Sequence, residues 1–141
     1  MGISFYRKSL DEIKGGTAWS AAEEQLLEEA HTGIVFISET RPEETTDAHM
    51  IRAELIRHIT LGGCEKLRVP DKGIAIAGAF ITDELDLQGC DTPLDVFLVA
   101  CHFDTQPVFR DARLGALYLP GCMLPGLDAH RLRVKRGVLL N

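Results

Sequence analysis

The residues best equipped for chemistry in this chain are its four cysteines and five histidines. Cys64, Cys90, Cys101 and Cys122 lie 26, 11 and 21 residues apart, without the CxxC pairing of zinc or thioredoxin-like sites. Cys101 next to His102, and Cys122 with His130 downstream, could supply a thiol nucleophile beside a base, or two metal ligands. Glu54 and His58 stand four residues apart on a predicted helix, where they would share a face and could hold a metal or pass a proton. Alone, such a pair reads as a surface contact. Asp83, Glu84, Asp86, Asp91, Asp95, Asp104 and Asp111 are candidate acids, but their spacing scatters them over different faces and reads as solubility. No GxGxxG, P-loop, GxSxG or HExxH motif occurs. The sequence therefore predicts no catalytic residue, no cofactor site and no metal site.

Composition supports a folded chain with a thin aliphatic core. Of 141 residues 45% are hydrophobic, yet only six Phe, two Tyr and one Trp are available to fill an interior. The net charge of −6 divides unevenly, with 13 acidic and 9 basic residues in 1–72 and 8 acidic and 6 basic in 73–141. Binding to a nucleic-acid backbone needs a clustered basic face, so a nucleic-acid partner is not expected. The stretch from Arg131 to Arg136 is interrupted by apolar residues and reads as the solvated edge of a strand rather than a phosphate site. Met1 is followed by no cleavable apolar segment, and Gly33 to Ile37 is too short to span a bilayer. A soluble cytoplasmic protein with free, buried thiols is the expectation.

The elements that would position these groups fall into two regions. In residues 1–72, Ser20 and Glu23 form a capping box ahead of Ala22, Leu26 and Ala30, and Gly33 supplies the stop, predicting a helix over 18–31 with Glu23, Glu24, Glu28 and Glu29 on its wet face. Ile34 to Ile37 predicts a short strand, and the polar run Glu39 to Thr46 with Pro42 a loop. A second helix is predicted from Asp47, with Ile51, Leu55 and Ile59 on one face and Gly62-Gly63 at its end.

Residues 73–141 carry a five-residue period. From Ala112, the pairs Ala112 and Leu114, Leu117 and Leu119, Cys122 and Leu124, Leu127 and Ala129, Leu132 and Val134, Gly137 and Leu139 recur every five, and eleven of these twelve positions are apolar. Two apolar residues flanking one outward residue make a minimal strand, and pairs such as Pro120-Gly121 turn the corner. Extending the register backward gives four inward columns. The first holds Ile74 and Ile76, Val96 and Leu98, Leu117 and Leu119, then Gly137 and Leu139. The second holds Ala79 and Ile81, Cys101 and Phe103, Cys122 and Leu124. The third holds Leu85 and Leu87, Pro107 and Phe109, Leu127 and Ala129, and the fourth Cys90 and Thr92, Ala112 and Leu114, Leu132 and Val134.

This pattern resembles the pentapeptide-repeat family, and the resemblance implies a right-handed parallel β-solenoid of square coils of about 20–22 residues, capped by the helical region 1–72. The run Leu114-x-x-Leu117-x-Leu119-x-x-Cys122-x-Leu124 also fits a leucine-rich-repeat-like solenoid, the alternative reading. Ile51 to His58, Lys72-Gly73 and Leu85 to Gly89 resemble the start of a group of longer bacterial proteins with similar repeats. That likeness, with Val138, Leu139 and Leu140 ending on an apolar strand, predicts truncation of the solenoid at Asn141 and end-to-end homodimer pairing through the last coil. Some pentapeptide-repeat proteins resemble DNA and bind topoisomerases, but 8 acidic against 6 basic residues is a poor match for that role. The expected function is a non-enzymatic scaffold for an unknown protein partner. The alternative is a carbohydrate-active solenoid enzyme or sugar-binding module, for which Phe80, Phe97 and Tyr118 are the outward aromatics.

Overall fold

A computed structural model describes residues 8–139 of the protein. Helices α1 (Leu10–Lys14), α2 (Ala21–Glu29) and α3 (Ala53–Thr60) are interleaved with strands β1 (Ile34–Phe36), β2 (Met50–Arg52), β3 (Gly63–Cys64), β4 (Leu67–Arg68), β5 (Gly73–Ala77), β6 (Phe80–Thr82), β7 (Asp95–Val99), β8 (His102–Phe103), β9 (Arg113–Tyr118) and β10 (Arg133–Leu139). Apart from the antiparallel pair β3-β4, the strands form a β-solenoid of about three turns. Its first side is a parallel sheet in the order β1-β5-β7-β9-β10, and its second is the parallel sheet β2-β6-β8. Parallel bridges joining Asp86, Val108 and Asp128 form the third side, and the bridge of Asp91 to Arg113, continued by Arg113 on Arg133, forms the fourth.

Stacked parallel coils place each inward side chain over its counterpart about 4.8 Å away, so a column works when its members are alike in shape. Ile74 pairs with Val96 and Ile76 with Leu98. Ile81 pairs with Phe103, and the bridge of His102 to Met123 carries the same register to Cys122 and Leu124. Ile76, Ile81, Leu85, Leu87, Phe103, Phe109 and Leu114 are buried, and each such side chain contributes about 1.5–3 kcal/mol. Coil length is 22 residues from Ile74 to Val96 and 21 from Val96 to Leu117, within the predicted range. On the last coil Cys122, Leu124, Leu127, Leu132 and Val134 are only half-buried.

Three expectations need correction. The first concerns the last coil, where the five-residue period slips: Leu117 pairs with Val138 rather than Gly137, and Gly137 pairs with Ala116. A bulge between Val134 and Gly137 sets Lys135 and Arg136 against the single residue Gly115. A Cβ on Gly115 would overlap the Arg136 guanidinium, the Pro93 carbonyl and the Asp95 carboxylate, so the missing side chain makes room for Arg136 to reach Asp95. Leu140 and Asn141 lie outside the described residues.

The second correction is that residues 50–52 are a strand, not the start of a helix. Met50, Ile51 and Arg52 pair with Phe80, Ile81 and Thr82, while Ile34, Val35 and Phe36 pair with Ala75, Ile76 and Ala77. The ladder therefore reaches back to Ile34, and α3 follows directly on β2. Ile51 is buried as either a helix or a strand residue, so its apolar character could not distinguish them.

The third correction concerns Glu23, which is fully buried rather than on a wet helix face. Its Oε1 accepts from Ser20 N at 2.9 Å, completing the capping box, and its Oε2 accepts from Arg52 N and Nε, both at 2.9 Å. The Arg52 guanidinium also donates to the carbonyls of Ile13, Lys14, Thr17 and Ala18 and lies 4.7 Å from the Trp19 ring centroid. One side chain thereby ties α1, the 15–20 connection and α2 to the first coil.

Candidate functional site

Cys90, Cys101 and Cys122 sit where the inward columns place them, whereas Cys64 on β3 is exposed rather than buried, and the structure does not assemble the thiols with a base. Cys101 is buried and Cys122 half-buried on adjacent coils, their sulfurs directed to the carbonyls of Val99 at 3.5 Å and Leu98 at 2.9 Å. A hydrogen bond between the two thiols, followed by burial, pushes Cys101 well up. The same bond, with the charge of Arg41 assisting, pulls Cys122 down against its burial. Burial raises Cys90, with Arg57 opposing, and no disulfide joins any of the four.

The histidines are held by other partners. His102 donates from Nδ1 to the Pro42 carbonyl at 3.0 Å and stacks on Phe80, ring centroids 4.6 Å apart. Arg41 donates to the Gly121 carbonyl at 2.9 Å, so the 39–46 loop straps across the second side. That strap leaves Phe80, an outward aromatic by register, 8% exposed. His130 is exposed on the third side, and its backbone N–H meets Asp128 Oδ1 at 3.3 Å. Glu54 lies 3.8 Å from Lys8 Nζ, whereas His58 is buried with Nδ1 3.2 Å from the Lys8 carbonyl. Among the described residues no group of three or more His, Cys, Asp or Glu could hold a metal, and no helix is long and apolar enough to cross a membrane.

Three outward acids pair with arginines between coils. Asp128 binds Arg110 at 2.5 Å, Asp111 binds Arg131 through Nε at 2.5 Å and Nη2 at 3.1 Å, and Asp95 binds Arg136. Arg131 and Arg110 hold the carboxyls of Asp111 and Asp128 below their usual range. Asp111 and Arg131 share a corner column with Gly89, and all three have positive φ, so one left-handed residue per coil turns the chain there. These carboxylates pair with arginines instead of converging on a cleft.

The outer face of the first side is different in kind. Ile34, Ala75, Phe97 and Tyr118 stand in one register row, and Phe36, Ala77 and Val99 in the next. Ile34 is 69% exposed, Phe36 55% and Val99 37%, and Phe97 and Tyr118 pack ring on ring with centroids 4.5 Å apart. Every residue in these two rows is apolar or aromatic, on the face of a solenoid that solvent should reach. Phe97 and Tyr118 were legible as one outward row. Ile34 and Phe36 were not, because β1 joins the sheet across a 41-residue separation from β5, and the only signal was a large apolar pair at alternating positions of a predicted strand. No protein-family model matches this chain. Neither a curated protein nor a solved structure does.

Proposed function

We propose that the protein is a non-catalytic binding module that docks the apolar stripe of a partner protein's amphipathic helix across the outer face of its first side. The observation that carries this reading is the pair of apolar rows led by Ile34, Phe36, Phe97, Val99 and Tyr118, on a face that no element among the described residues covers. Contiguous exposed apolar surface is uncommon on soluble proteins and marks contact sites. Four strands at about 4.8 Å spacing make a strip roughly 14 Å long, and two rows make it roughly 7 Å wide. A helix segment of about 9 residues presents a stripe of that length at 1.5 Å per residue. Aromatic residues at the centre of such a strip supply most of the binding energy. The test is partner retention by immobilised protein, comparing the parent with the Phe36→Ser, Phe97→Ser and Tyr118→Ser variants and an Asp104→Ala control on another side. Retention lost in the three and kept in the control supports docking. Retention unchanged in all four overturns it.

A second reading rests on the stacked Phe97 and Tyr118 rings alone, which would suit the face of a sugar. Saturable binding of a soluble oligosaccharide, lost in Phe97→Ser, would replace helix docking with sugar binding.

A further inference from the structure

The basic residues of the solenoid are not spread along it. All six Arg and Lys residues of 73–141 lie between Arg110 and Arg136, in company with only two carboxylates, Asp111 and Asp128. Three are committed to acids: Arg110 to Asp128, Arg131 to Asp111 and Arg136 to Asp95. Among the described residues Arg113, Arg133 and Lys135, all exposed, have no carboxylate within ion-pair distance.

Two of these three are stacked on each other. Arg113 and Arg133 are direct register partners on β9 and β10, so their backbones run about 4.8 Å apart and their guanidinium groups leave the same side of the solenoid. Like charges directly opposite one another on neighbouring strands are destabilising. Elsewhere on these coils the cross-coil arginine contacts are with aspartates, so this pair stands out as an unbalanced one. Both arginines line a hollow of about 340 Å³ with Lys135, Thr92, Pro93 and one carboxylate, Asp91. They also line a smaller hollow of about 150 Å³ with Asp111 and Arg131. The bulge contributes directly: by sending Arg136 over Gly115 to Asp95, it leaves Lys135 in the larger hollow.

We infer that the stacked Arg113 and Arg133, with Lys135, form a binding site for a phosphate monoester or free phosphate dianion. Two planar forks one strand spacing apart offer parallel N–H donors to the oxygens of one tetrahedral anion, and a dianion offsets the repulsion that the fold leaves in place. Asp91, the register partner on the other side of Arg113, and Asp111 bound the positive region. The site is therefore one corner rather than a long stripe, which fits a single phosphate group rather than a nucleic-acid backbone. It does not depend on the apolar face of the first side.

The test uses the full chain at low ionic strength, with inorganic phosphate and O-phosphoserine as probes in titration calorimetry and thermal melting. Saturable binding of both probes is expected. Arg113→Ala and Arg133→Ala should each weaken binding roughly tenfold or more, the loss of one charge-assisted bond, whereas Arg68→Ala should leave it unchanged. Arg133→Glu guards against a merely structural effect, because it places a carboxylate over Arg113. That variant should melt higher than the parent without phosphate, yet lose the rise in melting temperature that phosphate gives the parent. No saturation by either probe at millimolar concentration, parent-like affinity in either alanine variant, or a phosphate-induced rise retained in Arg133→Glu would each overturn the inference.

Discussion

Replacing Arg52 with Met tests whether one buried ion pair holds the helical region to the first coil. Methionine keeps a long apolar stem over Trp19 but removes the charge and the side-chain bonds to Glu23, Ile13, Lys14, Thr17 and Ala18. Glu23 has no exposed surface, so its carboxylate would stay buried with only the backbone N–H groups of Ser20 and residue 52 as partners. Removing one member of a buried pair costs about 3–5 kcal/mol, because the remaining charge is left uncompensated. For a domain of this size that is a fall in melting temperature of roughly 10–20 °C. The single tryptophan, Trp19, sits against the guanidinium and reports the cap directly, while far-ultraviolet circular dichroism reports the coils. Arg52→Met should lower the fluorescence midpoint by that amount, and Glu23→Gln added to it should recover part of the loss by removing the stranded charge. A loss under about 1 kcal/mol in the single variant, the value of an exposed pair, would refute the reasoning.

Phe109→Ala should cost about 3–5 kcal/mol in urea denaturation, because the fully buried ring is stacked between Leu87 and Ala129, while Asp104→Ala should stay within about 0.5 kcal/mol. Gly78→Ala should destabilise more than Gly121→Ala by the same assay. Both glycines have positive φ, but only at Gly78 would a Cβ overlap the Ser38 backbone, whereas at Gly121 the nearest atom, Ala100 Cα, is 3.7 Å away. Asp111 and Asp128 have folded pKa values held below the unfolded value of about 3.9 by Arg131 and Arg110, so their stabilisation is present above that value and is lost as pH falls through the lowered ones. The acid limb of a stability profile should accordingly flatten in the Asp111→Asn/Asp128→Asn variant, and an unchanged limb would contradict the pairing.

The inward columns were legible because parallel stacking repeats the same demand on each coil. Ile74 over Val96 and Ile81 over Phe103 satisfy it with residues that a five-residue count finds unaided. The second column even explains the cysteines that look most reactive in the sequence, since Ala79, Cys101 and Cys122 occupy a position that wants a small side chain. What the count could not see are features set by distant partners. Glu23 reads as a helix-surface residue until Arg52, 29 positions away, is brought over it. The slip at Lys135 and Arg136 leaves the apolar pattern intact, because Val138 and Leu139 are both apolar, so only the backbone pairing exposes it. The strand at Met50 was masked by the accidental helical spacing of Ile51, Leu55 and Ile59. The apolar face belongs to this second class, because it needs β1 beside β5. The cationic corner belongs to it only through the slip at Lys135, since the fourth column already sets Arg113 beneath Arg133.

The docking claim is tested most directly by hydroxyl-radical footprinting of the protein alone and with a bound partner. Phe36, Phe97 and Tyr118 are reachable on the outer face in the free chain, and their oxidation should fall together on binding while exposed Met123 on the second side stays reactive. Unchanged oxidation of all three aromatic residues in a saturated complex would contradict it.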